Sequence, residues 1–284
     1  MMNQLTNITN RININVLRAY GKEMLAIIIF LIAYFPTLIW MWDRWFIADS
    51  YYTHGILVPV VTVYLIWQMR HELRKIRRVE SVWGFRLILL GIIIHLFSAA
   101  FRIYFSSGFS MMIVLIGLIL HFYGEEIFKK ISFPIAFLIF MIPLPQVVIA
   151  NASFKLKLFA AEIATMILNN MGIDAIREGS IIKMRHAYAI VDDVCSGLRS
   201  LISLTALGSI FAFWMRGPMN KRILLFVSTI PIAIVTNVCR VVLLSAVSEI
   251  WGTKYATGII HDVTGFMVFG LAFILLFAMG KLIE

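Results

Sequence analysis

Long apolar runs separated by short polar loops organise this chain from residue 24 to residue 280. Eight runs can be drawn, at 24–42, 55–69, 84–103, 109–123, 131–149, 198–215, 222–247 and 258–280. Several reach the roughly 17–25 residues that a helix needs to cross a bilayer. Those at 55–69 and 109–123 are shorter and predict thin-fitting helices or helices partly buried in a bundle. The pattern predicts an all-α polytopic membrane protein of about eight transmembrane helices. Pro143 and Pro145, in Met-Ile-Pro-Leu-Pro, are expected to break the outer end of the fifth span and redirect the chain.

Two stretches depart from the pattern. Segment 151–176 is apolar but interrupted by Lys155, Lys157 and Glu162. As a ninth span it would invert everything downstream, so it is expected to be a short extracytoplasmic amphipathic helix on the outer interface or a re-entrant one. From Gly179 to Val191 the content turns β-type around a turn, which predicts a short β-hairpin outside the membrane. The polar, basic residues 1–23 form a cytoplasmic N-terminal segment, and residues 24–284 a single integral domain. The first apolar run ends in Trp40, Trp42 and Trp45 rather than in a small-residue cleavage site, and is read as a retained span.

Composition sharpens this. Of 284 residues, 61% are hydrophobic and 14% charged, against about 25% charged in soluble domains. The net charge of +10 does not signal nucleic-acid binding. Its basic residues sit in short loops, above all Arg70, Arg74, Lys75, Arg77, Arg78 and Arg86, as the positive-inside rule requires of cytoplasmic loops at a lipid surface. Eight crossings with both termini cytoplasmic satisfy every basic loop. Two cysteines give no disulfide framework and no metal-ligand spacing, and no cofactor motif is present.

On that topology Cys195, Arg240 and His261 fall at one membrane face. Cys195 precedes the sixth span, which runs inward, and His261 opens the eighth. Arg240 lies eighteen residues into the seventh, about 27 Å along at ~1.5 Å per residue, at the outer edge of a ~30 Å core. A thiol, a guanidinium and an imidazole are the nucleophile, oxyanion stabiliser and proton acceptor of cysteine acyl transfer. Each alone has a plainer reading: a buried apolar thiol, a snorkelling arginine, an interfacial histidine. Ser196 and Gly197 leave room for a substrate backbone. A helix N-terminus, Arg199 and Arg240 would lower the thiol pKa, while Asp192 and Asp193 would raise it, and sequence leaves the sign open. Asn237 lies one turn before Arg240 and offers an amide donor. Asp262 is expected to be an exposed cap or interfacial charge. Cys239, about 100° from Arg240 on a helix, is assigned to packing, with a Cys195–Cys239 disulfide as the alternative in an oxidising compartment. His186 is a competing base in the hairpin.

These segments resemble the exosortase/archaeosortase family of membrane cysteine transpeptidases. The resemblance is carried by Cys195-Ser196-Gly197-Leu198-Arg199-Ser200, by Thr236-Asn237 with Arg240, and by His261-Asp262 with Gly265. His54-Gly55 with Leu57-Val58-Pro59, and Ile142-Pro143-Leu144-Pro145, extend it to about residues 50–270. The Cys-Ser-Gly-Leu-Arg form is similar to the bacterial branch. The resemblance implies an enzyme of the bacterial inner membrane, a cysteine protease and transpeptidase with its site on the extracytoplasmic face. Its partners would be exported proteins carrying a C-terminal sorting signal of motif, transmembrane helix and basic tail (PEP-CTERM in the bacterial case), in an exopolysaccharide-associated setting. By the same resemblance Cys195 is the nucleophile, His261 the general acid and base, and Arg240 the oxyanion stabiliser, and His54 contacts substrate or makes a structural hydrogen bond, the latter preferred. Some bacterial members carry a further C-terminal domain, whereas this chain closes at Glu284 straight after its last span, which leaves the subfamily open. Outside the family, the same residues would suit a non-enzymatic transporter or export component for an envelope polymer, or a lipid-modifying acyltransferase.

Overall fold

A computed structural model of the chain describes residues 2–256 and 259–283, without the side chains of residues 2–20, 194, 255, 259, 261 and 262. Helix forms within each of the eight expected runs, and the run at 131–149 is broken at 142–145. Among the described residues, five helices are long and apolar enough to cross a membrane. Helices Glu125–Met141 and Gln146–Asn170 count as a sixth span only when taken as a pair. Thr53–Gln68 and Leu198–Trp214 are apolar but short. The chain is a multi-pass, all-α membrane protein with one small sheet. It separates into two compact units, residues 1–44 with 56–142, and residues 45–55 with 143–284.

The first unit contains most of α1 (Met2–Phe46), α2 (Leu57–Gln68), the short α3 (Arg70–Leu73), α4 (Val82–Ala100), α5 (Tyr104–Phe122) and α6 (Glu125–Phe137). Lipid offers no hydrophobic drive for helices to associate, so close backbone approach and hydroxyl bonds must do it. On α4 the buried residues are Gly84, Gly91 and Ser98, seven apart and therefore on one face. A Cβ added at Gly84 would stand 2.4 Å from the His121 backbone nitrogen, and one at Gly91 would stand 2.5 Å from Val114. Ser98 Oγ donates to Ser106 Oγ at 2.9 Å, and Ser110 Oγ donates to the Gly91 carbonyl at 2.8 Å. From α1, Tyr34 shares a hydrogen with Ser110 at 2.5 Å and Thr37 with Ser107 at 2.6 Å. His95 Nδ1 also bonds Ser107, at 3.0 Å. At the basic loops Arg70, Arg78 and Arg86 each lie over an aromatic ring, of Trp67, Tyr123 and Trp83.

The second unit contains α7 (Gln146–Asn170), strands β1 (Ala175–Glu178), β2 (Ile181–Met184) and β3 (Tyr188–Ile190), then α8 (Leu198–Trp214), α9 (Met219–Trp251), the short α10 (Thr253–Ala256) and α11 (Ile259–Ile283). The stretch 142–145, which holds Pro143 and Pro145, is non-helical before α7. Proline at 145 has no N–H to give a continuing helix and biases residue 144 to extended backbone. The expected hairpin forms between β2 and β3, with Ile181 opposite Ile190. It gains a third strand, β1, paired antiparallel with Ala175 opposite Met184.

Two of the three charges that interrupt segment 151–176 find partners, in the sheet and in the turn beyond it. Glu162 faces Arg177 of β1 at 3.9 Å, Lys157 bonds Asp193, and the Asn169 side chain both donates to and accepts from the Ala175 backbone. α7 also presents Ala160, Ala161, Ala164 and Leu168 to a core shared with Ile182, Val191, Cys195, Val238, Val241 and Leu244. A second core joins α8, α9 and α11 through Leu204, Leu225, Ala233, Ala272 and Leu276.

Candidate active site

The Cys-Ser-Gly segment is shaped before any chemistry is considered. After β3 the chain runs through Val191 and Asp192 into one 3₁₀ turn, Asp193–Cys195, and reverses at Gly197 into α8. Gly197 has φ +81°, a left-handed conformation in which side chains are strained. It is doubly constrained, since an added Cβ would stand 2.7 Å from Asn237 Cγ. Asn237 Nδ2 donates to the Cys195 carbonyl at 2.9 Å, so the amide expected from sequence holds the turn itself. Ser196 Oγ donates to the Asp193 carbonyl at 2.7 Å and accepts the Leu198 N–H at 3.3 Å, bracing the entry to α8.

Cys195 is 5% exposed and sits in the alanine- and valine-rich core between α7 and α9. Burial pushes its thiol up, the Arg240 guanidinium pulls it down, and Asp192 pushes it up again. The net direction is upward, because the charged thiolate is disfavoured in an apolar core. Of the two expected cations, Arg240 acts on the thiol, while Arg199 Nη2 bonds Asp49 at 3.5 Å. Asp193 is engaged by Lys157 Nζ at 2.9 Å and Ser153 Oγ at 3.1 Å. That lysine holds the Asp193 carboxyl below the usual carboxylate range.

Arg240 is buried on α9, one turn beyond Asn237. Its guanidinium lies over Gly265 of α11, where an added Cβ would meet Nη2 at 3.3 Å. His261 stands four residues earlier, in the first turn of the same helix. The side chains of His261 and Asp262 lie outside the described residues. Cys195, Asn237, Arg240 and the opening turns of α11 thus gather along the C-terminal half of α9.

The model of the family described as Transmembrane exosortase (Exosortase_EpsH) matches residues 42–278. The chain belongs to the transmembrane exosortase family. Exosortase membership places it in the general class of membrane protein-sorting transpeptidases. No curated protein and no solved structure matches it.

Against the exosortase background, the remaining residues take defined places. His54 Nδ1 bonds Ser203 Oγ at 3.2 Å, and its ring stacks 5.9 Å from Tyr52, a structural hydrogen bond on α8. Gly55 is fixed by the Trp45 indole, which an added Cβ would overlap at 2.2 Å. His186 bonds Glu249 at 2.8 Å, and Glu249 also accepts the His186 and Ala187 N–H groups, so this histidine pins the hairpin to the end of α9. Cys239 corrects an expectation: it is exposed, not packed, and no disulfide joins it to Cys195. Helical geometry explains this, because the buried face of α9 is taken by Asn237, Val238, Arg240 and Val241. Among the described residues no group of three His, Cys, Asp or Glu side chains is arranged to hold a metal ion. Lys157, Ser153 and Tyr51, which reach the Asp193–Cys195 turn, are not among the residues the sequence singles out. Of the three only Lys157 leaves a signal, as a charge in an apolar run, and such a charge argues first against a span.

Proposed function

We propose that the protein is a cysteine protease and transpeptidase of the bacterial inner membrane that cleaves a C-terminal sorting signal from exported proteins and transfers them to an envelope acceptor. The observation that carries this reading is the seating of Arg240 between the Cys195 turn, whose thiol it acts on electrostatically, and Gly265, one helical turn after His261. The positive-inside pattern of the loops favours both termini in the cytoplasm and this site on the extracytoplasmic face.

The geometry suits activation on demand rather than a standing thiolate. Because burial keeps Cys195 protonated at rest, attack needs a proton acceptor at that moment, the role assigned to His261. The thiol proton passes to the imidazole as sulfur bonds the scissile carbonyl carbon. Arg240 stabilises the oxyanion that forms. On collapse the C–N bond breaks, the leaving amine takes the proton from the imidazolium, and a thioester remains on Cys195. An acceptor nucleophile then attacks the thioester carbonyl, and sulfur leaves with the proton restored. Gly197 and Ser196 give the substrate backbone access, while Asn237 and His54 keep their neighbours in place.

The test is trapping. Wild type and Cys195→Ala are expressed with a tagged protein bearing a motif-helix-basic tail, and a hydroxylamine-sensitive adduct is sought. The expected result is an adduct and processing with wild type and neither with the variant. Equal processing by both would remove the enzyme and leave the export component.

A further inference from the structure

Lys157 stands out as a lysine in an apolar helix with its side chain only 19% exposed. A cation in such a setting is costly unless it is partnered. Its partner is Asp193, two residues before Cys195, at 2.9 Å. Asp193 is the hub of the nucleophile turn. Its carboxylate takes Lys157 and Ser153 from α7, and its carbonyl takes the Ser196 hydroxyl at 2.7 Å, the Ser196 N–H at 3.2 Å and the Tyr51 hydroxyl at 3.5 Å. From the opposite side Asn237 of α9 holds the Cys195 carbonyl. The turn is therefore clamped at both ends, and the thiol belongs to its last residue.

The geometry points to Lys157 as a positioning residue: through Asp193 it hooks the 3₁₀ turn onto α7 and so fixes where the Cys195 sulfur stands relative to Arg240. This inference rests on the reading of Cys195 as nucleophile. Lys157 touches no reacting atom. Its work is to hold a short turn against α7, at a place where a displacement of an ångström is felt in the rate. The charge it carries also explains why α7 is not a plain apolar span: one of its interruptions anchors the reacting loop, and Glu162, facing Arg177, anchors the sheet.

Two readouts separate the two claims. Tail processing gives kcat and KM, and N-ethylmaleimide labelling, resolved by mass spectrometry, gives the separate rates of Cys195 and Cys239. In Lys157→Met the expected result is a kcat lowered about tenfold with KM unchanged, and Cys195 labelling raised severalfold as the turn loosens. The exposed Cys239 reports any general disturbance and is expected to keep its rate. Lys157→Arg, which keeps the charge-assisted bond, restores both. Asp193→Ala matches Lys157→Met, and the double variant is no worse than either alone, as two ends of one contact require. Unchanged Cys195 labelling in Lys157→Met, or single effects that multiply in the double variant, would overturn the inference. If Lys157→Met does not reach the membrane, Lys157→Gln and Asp193→Ala carry the same comparison. Changed labelling with processing intact in Cys195→Ala would instead leave the clamp standing and sink the nucleophile.

Discussion

The two units of this molecule bury polar groups for opposite ends. In the first, the buried hydroxyls of Tyr34, Thr37, Ser98, Ser107 and Ser110 bond one another or a carbonyl, and glycines bring α4 and α5 into backbone contact. Each such bond holds helix to helix. In the second, the buried polar residues Asn237 and Ser196 bond the backbone of the turn that carries the Cys195 thiol, Arg240 acts on that thiol, and Lys157 of α7 bonds the same turn through Asp193. Glycine divides the same way. Gly84 and Gly91 are required for close packing, whereas Gly197 is required for a left-handed turn beside the thiol. Polar residues buried in these helices therefore differ by what their partners are, helix to helix in one unit and the Cys195 turn in the other, not by residue type.

The largest contrast is expected at the thiol. Cys195→Ala should reduce tail processing by about a thousandfold or more while membrane levels of the protein stay normal, measured by a processing assay and an immunoblot of membranes. Next come the glycines. Gly197→Ala sets a side chain at φ +81° against Asn237 and should cut processing about a hundredfold with modest loss of thermal stability in detergent. Gly84→Val should do the reverse. It should cost about 1–3 kcal/mol of stability through overpacking with the kcat of the folded fraction preserved, and a stable Gly84→Val would break the comparison.

Smaller effects sharpen it. Asn237→Ala removes the donor to the Cys195 carbonyl and leaves a buried acceptor unsatisfied, a loss of about 1–3 kcal/mol, and should lower kcat as well as stability. Tyr34→Phe removes a hydroxyl whose partner Ser110 keeps its bond to Gly91, so it should cost about 0.6 kcal/mol and leave processing unchanged. The smallest is a titration. The midpoint for Cys195 alkylation in the apo protein should lie above the ordinary cysteine value of about 8.5, since burial raises it. Arg240→Met should move it higher still, because the guanidinium favours the thiolate.

Much of the fold was legible beforehand, for physical reasons. Lipid admits only self-satisfied backbone, so the apolar runs predicted helices. Pro143 and Pro145 predicted the break before α7, since proline can neither donate to nor continue a helix. The β-type content after Gly179 predicted the hairpin, although the third strand, Ala175–Glu178, is too short and too charged to announce itself. Arithmetic of rise per residue brought Cys195 and Arg240 to one level, and the structure has the guanidinium acting on the thiol. Other features were not legible. Arg199 and Asp193 were weighed as thiol neighbours, but their partners, Asp49 and Lys157, come from segments distant in sequence. Cys239 read as a packing residue because an apolar run does not say which of its faces is covered.

The sequence by itself determined the membrane class, the helical segments, the family and the order of the Cys, Arg and His motifs, because hydrophobic length, proline and local motif are all properties of neighbouring residues. Only the tertiary structure decided the direction of the Cys195 thiol, the seating of Arg240 on Gly265, and the use of Lys157 and Asn237 as the two ends of a clamp. Burial and partnership depend on what other helices bring to a point, and no local stretch of chain contains that information.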